Sequence, residues 1–382
     1  MNDVGLYVHV PFCPSKCGYC DFYSRVPAEG QIEPLVDALL AELDAAVDGR
    51  GVRVATIFVG GGTPTFLPPR PLARLFERLG RYARQNEVCE FSVETNPGCL
   101  DDDKAAILRA AGVNRISMGA QSFHESELRA LDRIHHPDQI RRSAELVHRV
   151  GFEHFNLDLI FGIPGQGLSS WSDSLRQAVD LGPDHLACYG LTYEPGTPLD
   201  GRARAGMVAR MADDLEAELY TFAIEYLNFV GLTQYEISNF ARPGGQCRHN
   251  LRYWHNQPGL GIGPAAASYF EGSRWRNVPD TEEYIVRIRS GQSPAVEAET
   301  LDPLQRAGET AMLMLRLVEG LRCGRFQELT GLDPHTLFGE TITRHQASGL
   351  LVADADSIAL TPAGRLVADS VIADFVNPQQ VA

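Results

Sequence analysis

The sequence contains no segment suited to crossing a membrane. Its unbroken apolar runs fall far short of the roughly 18–20 residues that a membrane-spanning helix requires. Its opening residues, MNDVGLYVHV, lack the basic start and the long apolar stretch of a secretory signal. We therefore expect a soluble protein of the cytoplasm.

Basic side chains are scarce as well. The 382 residues include 34 lysines and arginines against 49 aspartates and glutamates, which gives a formal net charge of −15. A surface this acidic repels nucleic-acid phosphates and anionic lipid headgroups, so neither is expected as a main partner. Hydrophobic residues make up 44% of the chain, which is enough for the core of one large domain and a smaller one.

Three of the eight cysteines fall close together. Cys13, Cys17 and Cys20 are spaced C-x3-C-x2-C, whereas the other five are scattered and are expected to be small buried side chains. Thiolates suit either zinc or an iron–sulfur cluster. A 4Fe-4S cluster commonly has four cysteine ligands, so three would leave one iron open to the amine and carboxylate of a small molecule, such as the methionine end of S-adenosylmethionine (SAM). A zinc site, with His9 as the only local candidate for a fourth ligand, and a coincidental grouping are the alternatives.

The first half of the chain alternates between strand-like and helix-like segments, and apolar residues recur at intervals of three and four in the helical ones. Six strands in this alternation predict an α/β fold with a parallel sheet, and a partial (β/α)6 barrel because eight repeats are not reached. The predicted strands are Leu6–Val10, Val54–Val59, Cys89–Glu94, Arg115–Gly119, His154–Phe161 and His185–Leu191. The predicted helices are Ile32–Val47, Arg70–Tyr82, Asp101–Ala111, Pro137–Val150 and Trp171–Leu181.

The unusual polar and glycine-rich segments follow these strands rather than precede them, which is where such folds place their chemistry. Asp158 is the exception, since it lies inside the apolar run Leu157–Phe161. It either makes a structural hydrogen bond to a loop or contacts a ligand. The segments that follow strands are Cys13–Cys20, Gly60–Pro64, Glu94–Pro97, Gln121 and Thr192–Glu194.

The pattern changes in the second half, where a long helix is predicted from Met207 to about Phe229. We predict a partial barrel over 1–232, a segment with an HNxxYW and a Gly-rich stretch over 233–300 that completes the family-specific region, and a smaller α+β domain over 301–382 that ends in a winged-helix-like module. Winged helices often bind DNA, but Leu321–Phe375 carries four basic and seven acidic side chains. This acidic balance favours a structural or protein-contact role.

Several segments together resemble the radical SAM proteins related to oxygen-independent coproporphyrinogen III oxidase. The resemblance runs in consistent order through nearly the whole chain. It implies a radical SAM partial barrel in which the three cysteines hold a 4Fe-4S cluster and SAM binds the open iron. The segments that carry the resemblance are Tyr7–Tyr23, Gly60–Thr65, Glu94–Pro97, Ser117–Phe123 and Asp158–Pro164.

The resemblance also implies a set of SAM-binding residues. It places aromatic side chains near the cluster, a glycine edge and a threonine against the methionine end, and polar side chains on the rest of SAM. Arg133 would face the SAM carboxylate; an exposed charge at a helix end is the alternative. Thr192 and Ala267 correspond less distinctively. The implied residues are Tyr7, Tyr19, Gly61, Gly62, Thr63, Glu94, Gln121, Arg133, Asp158, Thr192 and Ala267.

Two functions are open to a protein with this resemblance. One is the oxidative decarboxylation of coproporphyrinogen III to protoporphyrinogen IX. The other is that of a heme chaperone, a carrier that delivers heme to acceptor proteins, respiratory proteins among them. The oxidase continues its motif to a fourth cysteine, where this chain has Phe22, and has a sizeable segment before its cysteines, where this chain has twelve residues. Tyr235–Phe240 followed by His249–Trp254 resembles the HNxxYW signature of the chaperone branch. We therefore favour a heme carrier over an enzyme, and leave SAM cleavage open.

Heme would need an axial ligand, and histidine is a common one. His249 is the leading candidate, because Tyr253 and Trp254 in the same signature are suited to stacking on a macrocycle. The alternative is structural: His249 and Asn250 would hydrogen-bond a turn, and Trp254 would lie in the core. If His249 is excluded, a cysteine or a tyrosine becomes the candidate ligand. A second copy of the chain is a further candidate partner.

Overall fold

One sheet of twelve strands organises most of the chain. The computed structural model describes residues 3–376. The strands of this sheet are β1 (Asp3–Val10), β2 (Arg53–Gly61), β3 (Glu90–Thr95), β4 (Arg115–Gln121), β5 (His154–Phe161), β6 (His185–Gly190), β7 (Thr233–Gln234), β8 (Asn239–Ala241), β9 (Gly259–Ile262), β10 (Ala267–Phe270), β11 (Ser273–Asn277) and β12 (Ala295–Thr300). β1 to β6 lie side by side in chain order and are all parallel, which confirms the predicted fold class.

The sheet is wider than the six predicted strands. β9 pairs in parallel with β1, on the side away from β2, and β10 to β12 continue from it as antiparallel strands. At the other end, β8 and β7 extend antiparallel from β6. The two edges of the sheet are β12 and β7, and they are not paired with each other, so the barrel stays open.

Ten helices and one 3-10 turn (Pro64–Phe66) occupy the connections and follow the strands. The helices are α1 (Ile32–Val47), α2 (Pro69–Gln85), α3 (Asp102–Ala111), α4 (Glu125–Ala130), α5 (Pro137–Val150), α6 (Leu168–Asp180), α7 (Pro198–Arg204), α8 (Asp213–Phe229), α9 (Arg248–Trp254) and α10 (Thr281–Arg289). α8 begins later than predicted, because Ala212 before it has an extended backbone with ψ 141°. Gly112 and Gly151 end their helices in the left-handed conformation, which glycine adopts without strain.

The two faces of the parallel strands differ in polarity. In β1, Leu6, Val8 and Val10 belong to the hydrophobic core. Tyr7 and His9, on the opposite face, make hydrogen bonds inside the barrel. Since side chains alternate between the faces of a strand, neighbouring strands repeat this division. The barrel therefore encloses a polar interior, which we call the lumen.

The C-terminal part has a hydrophobic core of its own. Its elements are α11 (Pro303–Met314), β13 (Leu321–Arg322), α12 (Cys323–Thr330), α13 (Pro334–Ala347), β14 (Leu351–Ala353), β15 (Ser357–Leu360), α14 (Pro362–Leu366) and α15 (Ala368–Val376). β13, a short strand that was not predicted, joins β15 and β14 in an antiparallel sheet of three. By contrast, residues 233–300 add strands to the large sheet. Within residues 3–376, no helix is both long and apolar enough to cross a membrane.

Candidate functional site

The loop that carries the three clustered cysteines follows β1, and backbone hydrogen bonds join its two ends. Its two ends lie side by side, since the Cys13 N–H donates to the Arg25 carbonyl and the Arg25 N–H donates to the Pro11 carbonyl. In its middle, the Gly18 N–H donates to the Leu131 carbonyl, just after α4. The loop is thus held at the carboxyl ends of the strands, and all three thiols remain partly exposed.

Each thiol has a different polar neighbour. The Thr63 hydroxyl lies 3.4 Å from the Cys13 sulfur and an Arg133 N–H lies 3.4 Å from the Cys17 sulfur, while the Cys20 sulfur lies 3.8 Å from the Ser24 hydroxyl. Among residues 3–376, no three histidine, cysteine or acidic side chains come close enough together to hold a single metal ion. A 4Fe-4S cluster does not require this, because each thiolate binds a different iron. The assignment of the three thiols to a cluster stays a prediction.

The glycine segment at the end of β2 is required by the packing of the protein itself. A Cβ at Gly60 would lie 2.7 Å from a Glu94 carboxylate oxygen, and one at Gly62 would lie 2.8 Å from the Phe12 carbonyl oxygen. Gly61 has a φ of +106°, and a Cβ there would meet the His9 ring at 2.5 Å. Larger residues would push this edge away from the cysteine loop, to which it is bonded through the Thr63 N–H and the Phe12 carbonyl.

Arg133 lies beyond the end of α4 and reaches into the site, in contrast to the alternative of an exposed helix-end charge. One terminal nitrogen donates to the Asn96 side-chain oxygen at 2.6 Å and to the Gly119 carbonyl at 2.7 Å. Asn96 in turn donates to the Thr63 hydroxyl at 2.6 Å. The buried Nε of Arg133 has no partner among the described residues, so the guanidinium keeps a donor for a ligand such as a carboxylate.

Two carboxylates, Glu94 and Asp158, lie deep in the lumen near Arg133. Glu94 accepts from the Gly61 N–H at 3.0 Å, and Asp158 accepts from the Asn156 amide at 2.6 Å. Burial raises the pKa of Asp158 to about 6; burial and the nearby Asp158 charge raise the pKa of Glu94 to about 7. Both side chains are nevertheless partly accessible to solvent. Such a pair suits a ligand that brings positive charge and hydrogen-bond donors.

Gln121 ends β4 in a conformation that only its surroundings explain. Its φ is +65°, in the left-handed region that non-glycine residues seldom adopt. The pairing of β4 with β5 shifts by one residue between Gly119 and Gln121, and the Gln121 side chain is buried. Strain of this kind is typical of functional sites.

The remaining residues that the family resemblance implies lie in different parts of the molecule. The Tyr7 hydroxyl bonds to the His9 ring at 3.0 Å inside the lumen, and Tyr19 packs beside a small apolar cluster near α4 and α7. Thr192 is exposed after β6. Ala267 begins β10 and lines a groove beside Tyr253. No hydrogen bond among residues 3–376 links Thr192 or Ala267 to the cysteine loop, so their assignment to SAM stays a prediction.

The amino-terminal end of the barrel is closed by residues 245–249, which we call the floor segment. Glu90 and Arg115, both 2% exposed, form an ion pair at 3.1 Å beneath it. Glu90 accepts from the Arg248 and His249 N–H groups at 2.9 Å each, and Arg115 donates to the Gly245 and Gln246 carbonyls. Our sequence reasoning missed this pair, although Glu90 is the first residue of β3 and Arg115 is the first residue of β4.

His249 lies in the floor segment with both ring nitrogens occupied. Nδ1 lies 2.8 Å from the Thr56 hydroxyl and Nε2 lies 3.0 Å from the Tyr253 hydroxyl, while the ring stacks on Phe58. The side chain is 1% exposed. Binding of iron by His249 would break one of these two bonds. The geometry therefore gives this assignment no support, and it stays a prediction.

A chain of hydrogen bonds joins Asp158 to the floor segment. Asn156 donates to Asp158, and its oxygen lies 2.6 Å from Nδ1 of His185. Nε2 of His185 lies 2.8 Å from the Tyr235 hydroxyl, which accepts from the Cys247 N–H at 3.3 Å. His185 and Tyr235 are buried. These contacts run from β5 through β6 and the residue after β7 to the floor segment, and they could not be read from sequence spacing.

Comparison with known proteins finds two matching family models and several similar chains. The radical SAM superfamily model matches residues 7–178, and the HemN C-terminal domain model matches residues 301–367. A relative from Mycobacterium tuberculosis (strain ATCC 25618 / H37Rv), named heme chaperone HemW, is 38% identical over 96% of this chain and 93% of its own length. The protein of that name from Escherichia coli (strain K12) is 34% identical over 98% of both chains. The solved structure of E. coli coproporphyrinogen III oxidase (HemN), described as a radical SAM enzyme, is similar to this chain with a TM-score of 0.83. The similarity covers 98% of this chain and 90% of that chain at 23% sequence identity, and it shows a shared fold.

Proposed function

Because this chain belongs to the HemW family of radical SAM proteins, we propose that it is a heme chaperone, which binds heme and a SAM-ligated 4Fe-4S cluster and transfers the heme to acceptor proteins. The nearly full-length similarity to relatives that bear the heme chaperone name carries the proposal. We further propose that it acts in the cytoplasm, with a respiratory protein as the acceptor and a second copy of the chain as a partner.

Cys13, Cys17 and Cys20 would hold three irons of the cluster, and SAM would bind the fourth. When bound, the cluster supplies one electron at a time. Thr63 and Arg133 would donate to the ligating sulfurs, which stabilises thiolates. Burial raises the pKa of the Cys13 and Cys20 thiols, so these thiols would release their protons when iron binds.

The other implied residues would hold SAM itself. The free Nε of Arg133 is available for the carboxylate of the cofactor, and Glu94 and Asp158 are available for its donors and positive charge. A cation beside the carboxylates would lower their raised pKa values and return both to the ionised form. Gln121, Tyr7 and Tyr19 would complete the pocket.

The proposal is tested by anaerobic reconstitution of the cluster, followed by parallel incubations with hemin and with coproporphyrinogen III. We expect iron and inorganic sulfide in a ratio near one, a stoichiometric Soret complex with hemin, and no formation of protoporphyrinogen IX. Protein that holds zinc and no sulfide would contradict the cluster. Turnover of coproporphyrinogen III would instead favour the oxidase.

A Cys17→Ala variant separates the cluster from the fold. We expect this variant to fold, to lose the cluster and to lose heme transfer to an acceptor. Cys89→Ala is the matched control, because Cys89 is an exposed cysteine outside the loop. Normal heme transfer by the Cys17→Ala protein would refute a role for the cluster in the function.

A further inference from the structure

The middle of the cysteine loop is held by two neighbouring segments, the turn after α4 and the start of α7. Gly18 follows Cys17 in this loop. Its N–H donates to the Leu131 carbonyl at 3.3 Å, and its own carbonyl accepts from the Leu199 N–H at 2.8 Å. Leu131 and Leu199 are buried in one small apolar cluster, against which Tyr19 packs. The loop backbone at Gly18 is therefore bonded to both segments.

An ion pair between Asp132 and Arg202 lies directly on this glycine. The two terminal nitrogens of Arg202, in α7, donate to the two carboxylate oxygens of Asp132 at 2.7 and 3.3 Å. This bidentate arrangement fixes direction as well as distance. A Cβ at Gly18 would lie 2.6 Å from an Arg202 nitrogen and closer still to an oxygen of Asp132. The pair and the loop are therefore packed together with no room for a side chain between them.

Asp132 also forms the turn that leads to Arg133. Its φ is +54°, in the left-handed region, and the next N–H, that of Arg133, donates to the Leu128 carbonyl at 2.9 Å. Aspartate adopts this conformation less readily than glycine, but only its carboxylate can bond to Arg202. The turn directs Arg133 into the site, where one of its N–H groups lies 3.4 Å from the Cys17 sulfur.

From this geometry we propose that Asp132 and Arg202 are positioning residues for the cluster and SAM. Together they hold the turn that carries Arg133 against the loop that carries Cys17. The Arg133 guanidinium is thereby kept beside the Cys17 sulfur, with its free Nε available for the carboxylate of SAM. The inference rests on the proposed function, because it concerns the cofactors assigned there. The pair acts through Arg133 and the loop rather than through reacting atoms.

The exposure of the pair separates this role from a contribution to global stability. The Arg202 and Asp132 side chains are 30% and 43% exposed, and ion pairs this exposed add little to the stability of a fold. Loss of the pair should therefore leave the chain folded. Ligand binding is far more sensitive, because a binding group must be held within a fraction of an ångström of its productive position.

The signs of the two charges distinguish positioning from a simple field effect. Asp132→Asn removes a negative charge near the site, and Arg202→Gln removes a positive one. If the charges acted on SAM through space, the two variants would shift its affinity in opposite directions. If the pair positions the turn, both variants weaken binding, and the double variant is no worse than either one, because the same contact is lost in all three.

The test measures SAM binding to the anaerobically reconstituted full chain, from the change that SAM causes in the EPR spectrum of the reduced cluster. Asp132→Asn keeps the backbone of the turn, because asparagine also tolerates the left-handed region. We expect Asp132→Asn, Arg202→Gln and the double variant each to bind SAM at least fivefold more weakly than the unchanged protein. All three should keep its thermal midpoint.

A second measurement needs no cofactor. In the cluster-free protein, amide deuterium exchange over residues 14–22 should be at least threefold faster in each variant, because the Gly18 N–H loses its fixed acceptor. Arg129→Gln is the matched control: it breaks an exposed ion pair with Glu125 on α4 and should change neither SAM affinity nor exchange.

The two measurements together decide the proposal. Unchanged SAM affinity, opposite shifts in the two single variants, or weaker binding without faster exchange would overturn the positioning role while the proposed heme chaperone function stands. Failure of the unchanged protein to hold a cluster or to bind SAM would overturn the cofactor assignment of the proposed function and this inference with it.

Discussion

Replacement of Glu90 by glutamine should loosen the floor segment more than any surface substitution. The carboxylate of Glu90 accepts from Arg115 and from the Arg248 and His249 N–H groups, and it lies 3.4 Å from the Cys247 sulfur. Glutamine keeps the size but removes the charge and turns one acceptor oxygen into a donor, so that Arg115 stays buried and charged without its counterion. Loss of one partner from a buried ion pair costs about 3–5 kcal/mol.

The same substitution has a local consequence that amide hydrogen exchange can measure. Burial alone would raise the pKa of Glu90, but Arg115 and the two backbone N–H groups outweigh it, so that its pKa lies below the ordinary value. The Glu90 carboxylate is thus ionised at neutral pH and bonded to the floor segment. A loss of about 3 kcal/mol corresponds to roughly a hundredfold faster exchange of the His249 amide.

Two controls determine whether the reasoning holds. Asp3→Asn breaks the ion pair with Arg53, in which both side chains are at least 40% exposed, and should cost at most about 1 kcal/mol. The double variant Glu90→Gln with Arg115→Met removes both charges and should recover part of the loss. A loss below about 1 kcal/mol for Glu90→Gln, with unchanged amide exchange, would refute the role assigned to this pair.

Three further predictions concern other parts of the molecule. Gln121→Gly should be about 1 kcal/mol more stable to denaturant than Gln121→Ala, since φ is +65° there; the opposite order would rule out backbone strain. Because the pKa of Asp158 is raised to about 6, the folded cluster-free protein binds a proton more tightly than the unfolded chain, and its stability should fall as pH rises from about 4 to about 6. Asp158→Asn should flatten that slope in thermal melts, and an unaltered slope would contradict the assignment. Gly308→Ala should cost at least about 2 kcal/mol, because its Cβ would lie 2.0 Å from the Val376 carbonyl oxygen, whereas Gly339→Ala meets nothing within 4 Å and should be neutral or stabilising in the same denaturation assay.

The sequence predicted those elements whose signals are local. α1 and α5 have the predicted bounds, since amphipathic spacing lies within each segment and Gly151 ends α5. β9 could not be predicted as a neighbour of β1, because that pairing joins residues about 250 positions apart. The positive φ of Gln121 is set by a bulge against β5, which leaves no mark in the spacing of residues.

Within the candidate site, the motif resemblance predicted which residues take part but not how their side chains contact each other. The resemblance implied Arg133 and Asp158, and the structure brings both into the lumen with hydrogen-bond partners. It gave no indication of the bond between His249 and Tyr253, since a motif names residues without stating which side chain faces solvent. The partners of Asn156 and His185 lie on neighbouring strands and depend on the register of the sheet.

A continuous chain of hydrogen bonds from Asp158 through His185 to Tyr235 connects the two ends of the barrel. A ligand that fixes the charge of Asp158 selects the orientation of the Asn156 amide, and that amide in turn selects the tautomer of His185. Thermodynamic linkage makes this influence equal in both directions. We therefore expect that loading of the carboxyl-terminal mouth changes the stability of the floor segment, and that a partner bound at the floor segment changes affinity at the mouth by the same factor.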